Sequence, residues 1–340
     1  MVLKGPVIVV KELVNVMTAH GHECVVYYFD KSDASWLKCG NQRISMSKAI
    51  DFDGFDIIHS HGIRPDIYMS IFQGKRHKAK AVTTFHNFIF PDLASQYNRF
   101  ISIIAGRLWL YAAKSHDKIV ALSETGVEYY ARWFPKKKLD YAYNTSDVDK
   151  THVLSDEERE VLLDFKGNDT LLGVNALLTP IKGIDLIIKA MPFMEGCKLF
   201  IVGSGKEERA LRRQAIDLQV SDRIYFAGYH KEAYRYLPFY DVFIVSSLSE
   251  GFSLVILEAA QYAKNVVLSD IDVFRELYTD GEAAFFQLGN TRSFVEAVKR
   301  AKESRAMGHR LMRRYNELFS PEKFYRKYLD IYKSVLSKTV

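Results

Sequence analysis

Short apolar runs of strand length recur through this chain and are separated by segments with helical periodicity. The runs lie at residues 23–29, 55–59, 81–85, 118–121, 171–176, 198–202, 223–227, 241–245 and 265–269. Between them, segments such as 100–114 and 184–190 carry apolar residues at the i, i+3 and i+4 spacing of a helix. Strands that alternate with helices predict parallel sheets covered by helices on both faces. The pattern therefore predicts an α/β protein with doubly wound sheets.

The length of the chain, 340 residues, suits two domains better than one. Residues 148–168 are polar and charged and lack a strand pattern, which is typical of an interdomain linker. We therefore predict an N-terminal domain over 1–147, a C-terminal domain over 169–318 and a separate terminal helix within 319–340. Residues 88–97 are aromatic and are predicted to form a loop.

The chain begins with a turn and a helix, whereas a doubly wound sheet is expected to begin with a strand. Gly5 forms the predicted turn, and a helix over 7–19 and a strand over 23–29 follow it. Together they make the second half of a β-α-β unit. A parallel sheet without one of its inner strands has unpaired buried backbone groups. We therefore expect either a strand encoded upstream of Met1 or a sheet that has lost it.

A strand that ends in a polar turn and opens a helix is the strongest site candidate. The apolar run 241–245 leads to Glu250 and Gly251, and helical spacing begins at Leu254. The N-terminus of such a helix offers backbone N–H groups to an anion. Glu250 and Glu258 bracket the turn and are placed to bind sugar hydroxyls. The helix macrodipole alone also favours acids in such positions, and spacing does not separate these two readings.

The stretch from Glu250 to Glu258 resembles the E-x7-E motif of retaining glycosyltransferases of family four, and the resemblance extends over about residues 5–332. It implies a GT-B fold, in which two Rossmann-like domains face a cleft and the C-terminal helix packs on the first domain. It also implies that Glu250 lies against the donor sugar and that Glu258 binds the ribose hydroxyls of a nucleoside diphosphate sugar. The residues implied to offer N–H groups to the diphosphate are Gly251, Phe252, Ser253 and Leu254.

Further site residues follow from the same resemblance. Lys182, at a strand-to-helix junction, is implied to stabilise the departing phosphate, although a solvated surface lysine is the alternative. His86 ends a strand, and the resemblance places it near the reacting carbon of the sugar, whereas a structural histidine is the alternative. Gly203 and Gly205 are predicted to wall the nucleotide pocket, and Gly5 to line the cleft from the other domain.

Two more histidines, His59 and His61, precede the same sheet edge and are predicted to be structural or to face the acceptor. The implied reaction moves a sugar to an acceptor hydroxyl with retained anomeric configuration, and it needs no metal and no cofactor beyond the donor. The implied acceptor is a glycan or a lipid-linked glycan of the bacterial surface.

The chain departs from the family pattern at several positions. An Arg is expected five or six residues before Lys182, at Ala176 or Leu177, and Leu177 is expected to be partly buried. Thr145 and Ala263 replace glycines, and Asn265 replaces a proline. These departures favour a second hypothesis, a degraded member that binds a nucleotide sugar or a partner without turnover. Another GT-B enzyme, such as an epimerase or a phosphorylase, is the third.

Charge and cysteine content limit the classes of partner and the cellular location that we expect. Residues 64–114 carry eight Lys and Arg against two acids, and 88–114 is rich in aromatic and apolar residues. That segment is predicted either to lie on a membrane surface or to pack in the core. No nucleic-acid-binding motif is present, so nucleic acid is not expected as a partner. Three scattered cysteines and the absence of a long apolar run predict a cytoplasmic protein, peripheral at the inner face of the membrane.

Overall fold

The computed structural model describes residues 5–31 and 37–337. The chain divides into two compact units, a first unit of Met1–Ser146 with Leu318–Val340 and a second unit of Asp147–Glu317. The terminal helix predicted within 319–340 therefore belongs to the first unit. Every paired strand in the described residues runs parallel to its neighbour, which confirms the α/β prediction.

The α-helices and strands follow one another along the chain as the apolar pattern predicts. The helices are α1 (Gly5–Ala19), α2 (Ile63–Ile71), α3 (Ile89–Gln96), α4 (Arg99–Ala113), α5 (Glu124–Tyr130), α6 (Asp156–Lys166), α7 (Ile184–Ala190), α8 (Glu208–Asp217), α9 (Leu254–Gln261), α10 (Asp272–Leu277), α11 (Thr291–Glu303), α12 (Met307–Arg314) and α13 (Pro321–Leu336). The strands are β1 (Val25–Tyr28), β2 (Gly40–Arg43), β3 (Ile57–His61), β4 (Lys80–Thr84), β5 (Lys118–Ala121), β6 (Leu139–Tyr141), β7 (Thr170–Asn175), β8 (Cys197–Val202), β9 (Ile224–Gly228), β10 (Val242–Val245), β11 (Val266–Ser269) and β12 (Ala284–Phe286).

The first unit contains a four-stranded sheet in the order β3-β4-β5-β6 and a separate parallel pair, β1-β2. Helix α1 begins at Gly5, and the strand expected before it falls outside the described residues. Gly5 is exposed, and a Cβ atom built on it would meet no atom within 4 Å. This glycine is therefore not required by packing.

The loop predicted over 88–97 is wrong, because most of that segment forms α3. Ile89 and Leu93, one helical turn apart, are buried in the same cluster as Leu110 of α4. The hydroxyl of Tyr130 accepts a hydrogen bond from the backbone N–H of Ile89 at 3.2 Å. Aromatic content suggested a loop, whereas the burial of two apolar residues at helical spacing decides the structure.

The linker predicted over 148–168 is also structured in part, since α6 occupies its second half. Ser155 and Glu158 form a capping box at the start of this helix, in which each side chain bonds to the other residue's backbone N–H. Leu162 is fully buried. The polar composition of the segment therefore reflects a surface helix of the second unit.

The second unit is a six-stranded parallel sheet in the order β12-β11-β10-β7-β8-β9. From the centre of the sheet, chain order proceeds through β7, β8 and β9 to one edge, and through β10, β11 and β12 to the other edge. This is the doubly wound arrangement, and its switch point lies between β7 and β10. Helices α7 and α11 pack on one face through a core that includes Ile187, Phe294 and Ala297.

Two departures from the family pattern have structural explanations in this unit. Ala263 follows the end of α9 with a left-handed backbone, φ +50°, the conformation that favours glycine. The amide of Asn265 donates to the carbonyl groups of Ala301 and Ser304 and accepts from the N–H of Gly308. Asn265 therefore joins α11 to α12, a contact that a proline could not make. By contrast, Thr145 does not adopt the positive φ that favours glycine.

We expect Ala263→Gly to raise the free energy of unfolding by about 1 kcal/mol, because glycine has no Cβ to strain a left-handed residue. Chemical denaturation followed by circular dichroism measures the effect. Ala210→Gly, at an exposed position of α8, is the control and should lower the same quantity by about 1 kcal/mol. Equal losses in both variants would contradict the strain assigned to Ala263.

A buried polar cluster fixes α2 and α4 to the sheet of the first unit. The carboxylate of Asp66, with no solvent exposure, accepts hydrogen bonds from Ser60 Oγ at 2.5 Å and from Trp109 Nε1 at 2.6 Å. Ser60 Oγ also lies 2.9 Å from His116 Nε2. Burial raises the pKa of Asp66 and lowers that of His116. Because Ser60, Asp66 and His116 are buried and Trp109 is partly buried, we assign the cluster a structural role.

Candidate functional site

The predicted motif lies at the centre of the second unit, where β7 and β10 are neighbours. The segment after β7, residues 176–183, and the segment after β10, residues 246–253, leave the sheet at its carboxyl edge. Ligands of open α/β sheets bind at this switch point, because the two loops separate there. The sheet topology therefore places Lys182 and Glu250 on adjoining loops.

Two hydrogen bonds and one close approach of the backbones join these two loops. Ser246 Oγ donates to the carbonyl oxygen of Lys182 at 2.8 Å, and the N–H of Leu248 donates to the carbonyl oxygen of Ile181 at 2.7 Å. Gly183 has a left-handed backbone, φ +61°, and a Cβ there would lie 2.2 Å from the carbonyl oxygen of Ser246. A side chain at position 183 would therefore separate the loops.

Lys182 and Glu250 form an ion pair, with Nζ 2.5 Å from Oε1. The Glu250 side chain is only 7% exposed and also accepts a hydrogen bond from Ser247 Oγ at 2.7 Å. Ser269 Oγ, in turn, donates to the carbonyl oxygen of Ser247. The carboxylate is thus rigidly held, whereas Lys182, which is 28% exposed, can reach solvent. Without such a partner, burial of a carboxylate would carry a large desolvation cost.

Helix α9 begins at Leu254, directly after the motif's polar turn. The three preceding residues, Gly251, Phe252 and Ser253, are buried. Ser253 occupies the N-cap position, but its side chain caps no backbone N–H of the helix. The first turn of α9 has no intrahelical partners for its N–H groups, which leaves the positive end of the helix dipole for a ligand anion.

Glu258 lies on α9, eight residues after Glu250, as a partly exposed side chain. Burial raises the pKa of its carboxyl to about 8. Within residues 5–31 and 37–337, no group donates a hydrogen bond to this carboxyl, and its charge acts on the neighbouring Tyr234 and Tyr262. Glu258 therefore combines poor solvation with free acceptor capacity, as a ligand-binding carboxylate does.

The raised pKa of Glu258 predicts a pH-dependent cost to the fold. Its folded pKa of about 8 exceeds the ordinary value of 4.5, so the unfolded chain releases this proton first and stability falls as pH rises from 4.5 to 8. The free energy of unfolding of Glu258→Gln should equal that of wild type near pH 4.5. Near pH 8 it should be higher than that of wild type by on the order of 2 kcal/mol, allowing for partial exposure. Urea denaturation followed by circular dichroism at both pH values tests this. An equal difference in stability between the variant and wild type at the two pH values would contradict the prediction.

Gly203 and Gly205 follow β8 and bring that turn against the loop after β7. A Cβ on Gly203 would lie 1.8 Å from the carbonyl oxygen of Ala176, and one on Gly205 would lie 2.3 Å from that of Leu178. Both glycines are therefore required by the close approach of two backbones. This packing borders the segment that carries Lys182.

The structure corrects the expectation for Leu177. Its side chain is 55% exposed, because the chain has already left β7 when it reaches this residue. Ala176 packs partly against the core. Position 177 thus has room for a longer, charged side chain, although the cation that the resemblance places there is missing.

His86 lies in the first unit, just beyond the carboxyl end of β4, and His61 ends the neighbouring strand β3. His61 Nδ1 is 2.9 Å from His86 Nε2. His59 bonds through Nδ1 to the hydroxyl of Tyr332 on α13 and through Nε2 to Thr84 Oγ1. The structure therefore joins the three histidines, which sequence reasoning treated as two separate candidates.

The described residues form neither a metal-binding cluster nor a membrane-spanning helix. In residues 5–31 and 37–337, no three His, Cys, Asp or Glu side chains come together in a way that could hold a metal ion. Over the same ranges, none of the helices combines the length and apolar character needed to cross a membrane.

Comparison with known proteins identifies the family. Residues 155–317 match the family described as glycosyl transferases group 1, and residues 3–150 match glycosyltransferase family 4. The chain is 31% identical over 346 residues to the O-antigen biosynthesis glycosyltransferase WclY of Escherichia coli, across 99% of this chain and 96% of that protein.

Two further similarities are more distant. The UDP-Gal:alpha-D-GlcNAc-diphosphoundecaprenol alpha-1,3-galactosyltransferase of Escherichia coli is 23% identical over 285 residues, across 80% of this chain and 73% of that protein. The crystal structure of Anabaena HepE in complex with UDP superposes with a TM-score of 0.78 at 16% identity, across 95% of this chain and 96% of that one. With the parallel sheets of the two units described above, these matches show that the chain belongs to the group 1 and family 4 glycosyltransferases of GT-B fold.

Proposed function

We propose that this protein is a retaining hexosyltransferase that moves a sugar from a nucleoside diphosphate sugar to a glycan hydroxyl in the synthesis of a bacterial surface polysaccharide. One observation carries the proposal. At the switch point of the second sheet, the cation Lys182 pairs with the buried carboxylate Glu250, which lies four residues before the uncapped start of α9.

Stabilising the leaving diphosphate is the main chemical demand on this site. In the free protein the ammonium of Lys182 is paired with Glu250. When a diphosphate binds, Lys182 would turn towards it, and the N–H groups near Gly251 to Leu254 would bind its oxygens. Fixed dipoles and one cation then meet charge as it develops on the phosphate, which is an effective way to lower a barrier. In this scheme neither unit needs a bound metal, so a chelator such as EDTA should leave turnover unchanged.

The two carboxylates would divide the recognition of the donor sugar and the ribose. Glu250, held by Lys182 and Ser247, would accept hydrogen bonds from the sugar hydroxyls. Glu258, with free acceptor capacity, would bind the ribose hydroxyls. Retention would follow if the acceptor attacks from the face that the diphosphate leaves. We assign His86 to the reacting sugar, Gly203 and Gly205 to the wall of the nucleotide site, and Gly5 to the acceptor side.

The assignment of Glu258 is tested by titrating uridine, guanosine and adenosine diphosphates into wild type and Glu258→Gln at pH 8. Hydrogen bonds to a charged group contribute about 1.5–3 kcal/mol. We therefore expect affinity for the preferred nucleotide to fall by about ten- to a hundredfold. Unchanged affinity would remove Glu258 from the site.

We further propose that the acceptor is lipid-linked and that α4 rests on an anionic membrane surface. Core packing, the alternative from the sequence, accounts only for one side of this helix, that of Ser102, Gly106 and Leu110. Large apolar side chains cover the other side and are exposed: Phe100, Ile101, Ile103, Ile104, Leu108 and Tyr111. An exposed apolar face of this extent is typical of an interaction surface.

Charge favours a bilayer as the partner of this face. Arg99, Arg107 and Lys114 flank it, and residues 93–116 contain no Asp or Glu. Lys138 Nζ donates to the carbonyl oxygen of Lys114, which places the lysine-rich turn 136–138 at the end of α4. Apolar insertion combined with basic contacts to lipid phosphates is the pattern of an interfacial helix.

Vesicle co-sedimentation tests the membrane proposal. Wild type should bind phosphatidylglycerol vesicles, bind phosphatidylcholine vesicles weakly, and dissociate as salt is raised. Ile104→Ser with Leu108→Ser should reduce binding at least about tenfold, since two exposed apolar side chains are lost. Phe193→Ser, which removes an exposed apolar residue of the second unit, is the control. Equal binding by the double variant would contradict the proposal.

The experiment that tests the whole function incubates the pure protein with a panel of nucleotide sugars and follows slow hydrolysis of the donor. Release of nucleoside diphosphate from one donor supports a transferase. The missing cation at position 177 favours the second candidate, a member that binds nucleotide without turnover. Tight nucleotide binding with no hydrolysis, and no transfer to lipid-linked glycans, would support that candidate.

A further inference from the structure

The carboxyl ends of β3 and β4 bring three histidine rings together. In the parallel register, His61 is paired with Thr84, and His86 follows two residues later. The ring centroids of His59 and His61 are 4.2 Å apart, and those of His61 and His86 are 5.2 Å apart. His61 is thus enclosed between the other two rings, and it bonds to His86 directly through Nδ1 and Nε2.

His59 is fixed by its own partners and does not compete for His86. Its Nδ1 lies 2.7 Å from the Tyr332 hydroxyl and its Nε2 lies 2.8 Å from Thr84 Oγ1. Thr84 Oγ1 is also 3.2 Å from the hydroxyl of Tyr328. Because both nitrogens of His59 are engaged, this ring serves as a fixed surface on which His61 packs.

All three rings are neutral at physiological pH. Burial lowers the pKa of His59 to about 3 and that of His86 to about 4, and it lowers the pKa of His61 well below the ordinary value. The charged forms of neighbouring histidines add to this effect for His59 and His61. A neutral imidazole has one N–H donor and one acceptor nitrogen.

A single proton must therefore lie between His61 Nδ1 and His86 Nε2. If it resides on His61, both rings carry their proton on Nδ1. If it resides on His86, both rings carry their proton on Nε2. A mixed arrangement would place two protons or none between the nitrogens, and this partly buried hydrogen bond would be lost.

We infer that His61 is a positioning residue that sets the tautomer and orientation of His86, so that the two rings always share the same tautomer. The inference rests on the proposed function only for the role of His86 in the site. His86 Nδ1 and His61 Nε2 have no hydrogen-bond partner among residues 5–31 and 37–337, so each can meet a ligand or solvent.

This coupling links the protonation of the two outer nitrogens, His86 Nδ1 and His61 Nε2. A ligand hydroxyl that donates to His86 Nδ1 selects the state with both protons on Nε2. A phosphate oxygen that accepts from His86 Nδ1 selects the state with both protons on Nδ1. A change between these states moves the shared proton from one ring to the other, while one outer nitrogen releases a proton and the other takes one up. The protonation state of the pair is unchanged.

The test uses the full chain labelled with ¹⁵N-histidine and long-range ¹H–¹⁵N correlation spectra, which report the tautomer of each ring. Resonances are assigned with His61→Asn and His86→Asn. We expect matching tautomers for His61 and His86 in wild type, and a mixture of tautomers for His86 in His61→Phe, which fills the space without a hydrogen-bonding group. Opposite tautomers, or a His86 spectrum unaltered by His61→Phe, would overturn the inference.

Two controls separate positioning from structural damage. Tyr332→Phe removes a partner of His59 and should leave the His86 tautomer unchanged. His61→Asn can place an amide near the former Nδ1, where its oxygen can accept from His86 Nε2 or its NH2 can donate to it, and should restore the hydrogen bond that His61→Phe removes. With a transferable donor, His61→Phe should lower kcat by about 10- to 100-fold with a smaller change in KM, and His61→Asn should recover part of it. The spectra need no turnover, so failure of the proposed function leaves this test intact.

Discussion

Lys182→Ala is expected to lower kcat by about 100- to 1,000-fold, the range found when one group that stabilises developing charge is removed. Lys182 is the only cation in the segment 176–183, so no neighbouring arginine replaces it. Steady-state release of nucleoside diphosphate from the donor identified in the panel gives the measurement. Wild-type turnover in a folded Lys182→Ala protein would show that this lysine does not contact the leaving phosphate.

Lys182→Ala alone also leaves the carboxylate of Glu250 nearly buried without its ion-pair partner. The double variant Lys182→Ala with Glu250→Gln removes both charges and is the matched control for folding. Glu250→Gln alone should free Lys182 and strengthen the binding of nucleoside diphosphate while weakening transfer. These three variants separate the charge of Lys182 from its role as the partner of Glu250.

Leu177→Arg is the complementary gain-of-function variant. Because Leu177 is exposed, an arginine there would not be desolvated in a core, and the fold should tolerate it. We expect turnover to rise if the guanidinium reaches the diphosphate. A gain from no detectable turnover or nucleotide binding to measurable levels would favour the view that the natural chain is a degraded transferase.

Asp66→Ala is expected to lower the free energy of unfolding of the first unit by about 3–5 kcal/mol. The variant would leave the Ser60 hydroxyl and the Trp109 indole N–H without their acceptor, and it would remove the carboxylate beside His116. Tryptophan fluorescence in denaturant is the measurement, because all tryptophans of the chain, Trp36, Trp109 and Trp133, lie before residue 147.

The control for Asp66→Ala is Asp156→Ala, which removes a fully exposed carboxylate from the second unit. It should change the same fluorescence transition by less than about 0.5 kcal/mol. Asp66→Asn, which keeps an acceptor for one of the two donors, should fall between Asp66→Ala and wild type. A loss below about 1 kcal/mol for Asp66→Ala would show that solvent or a rearranged partner replaces the carboxylate.

The apolar pattern was sufficient to predict β7, β10 and α9, the elements that bear the candidate site. Each of them is marked by an apolar run or by helical spacing within its own short stretch of chain. The burial of α3 and the exposure of Leu177 were not predictable in this way. Both depend on which surface a segment meets after the sheets have formed, and local composition carries little of that information.

The same limit applies to the polar groups. The ion pair of Lys182 with Glu250 joins residues 68 positions apart, and the bond between Asp66 and Trp109 joins residues 43 apart. The family resemblance identified Lys182, Glu250 and His86 as candidates, but the sequence contained no sign that His61 bonds to His86. That contact depends on the register of β3 against β4.

The membership of α13 in the first unit has a consequence for synthesis on the ribosome. Its residues Phe324, Tyr328, Ile331 and Val335 are buried, and Tyr332 bonds to His59, yet this helix is translated after the whole second unit. The nascent first unit must therefore remain incomplete, with apolar surface uncovered, while the whole second unit emerges and folds. Synthesis of α13, rather than elongation past residue 146, is the event that allows His59 and its neighbours to reach their final arrangement.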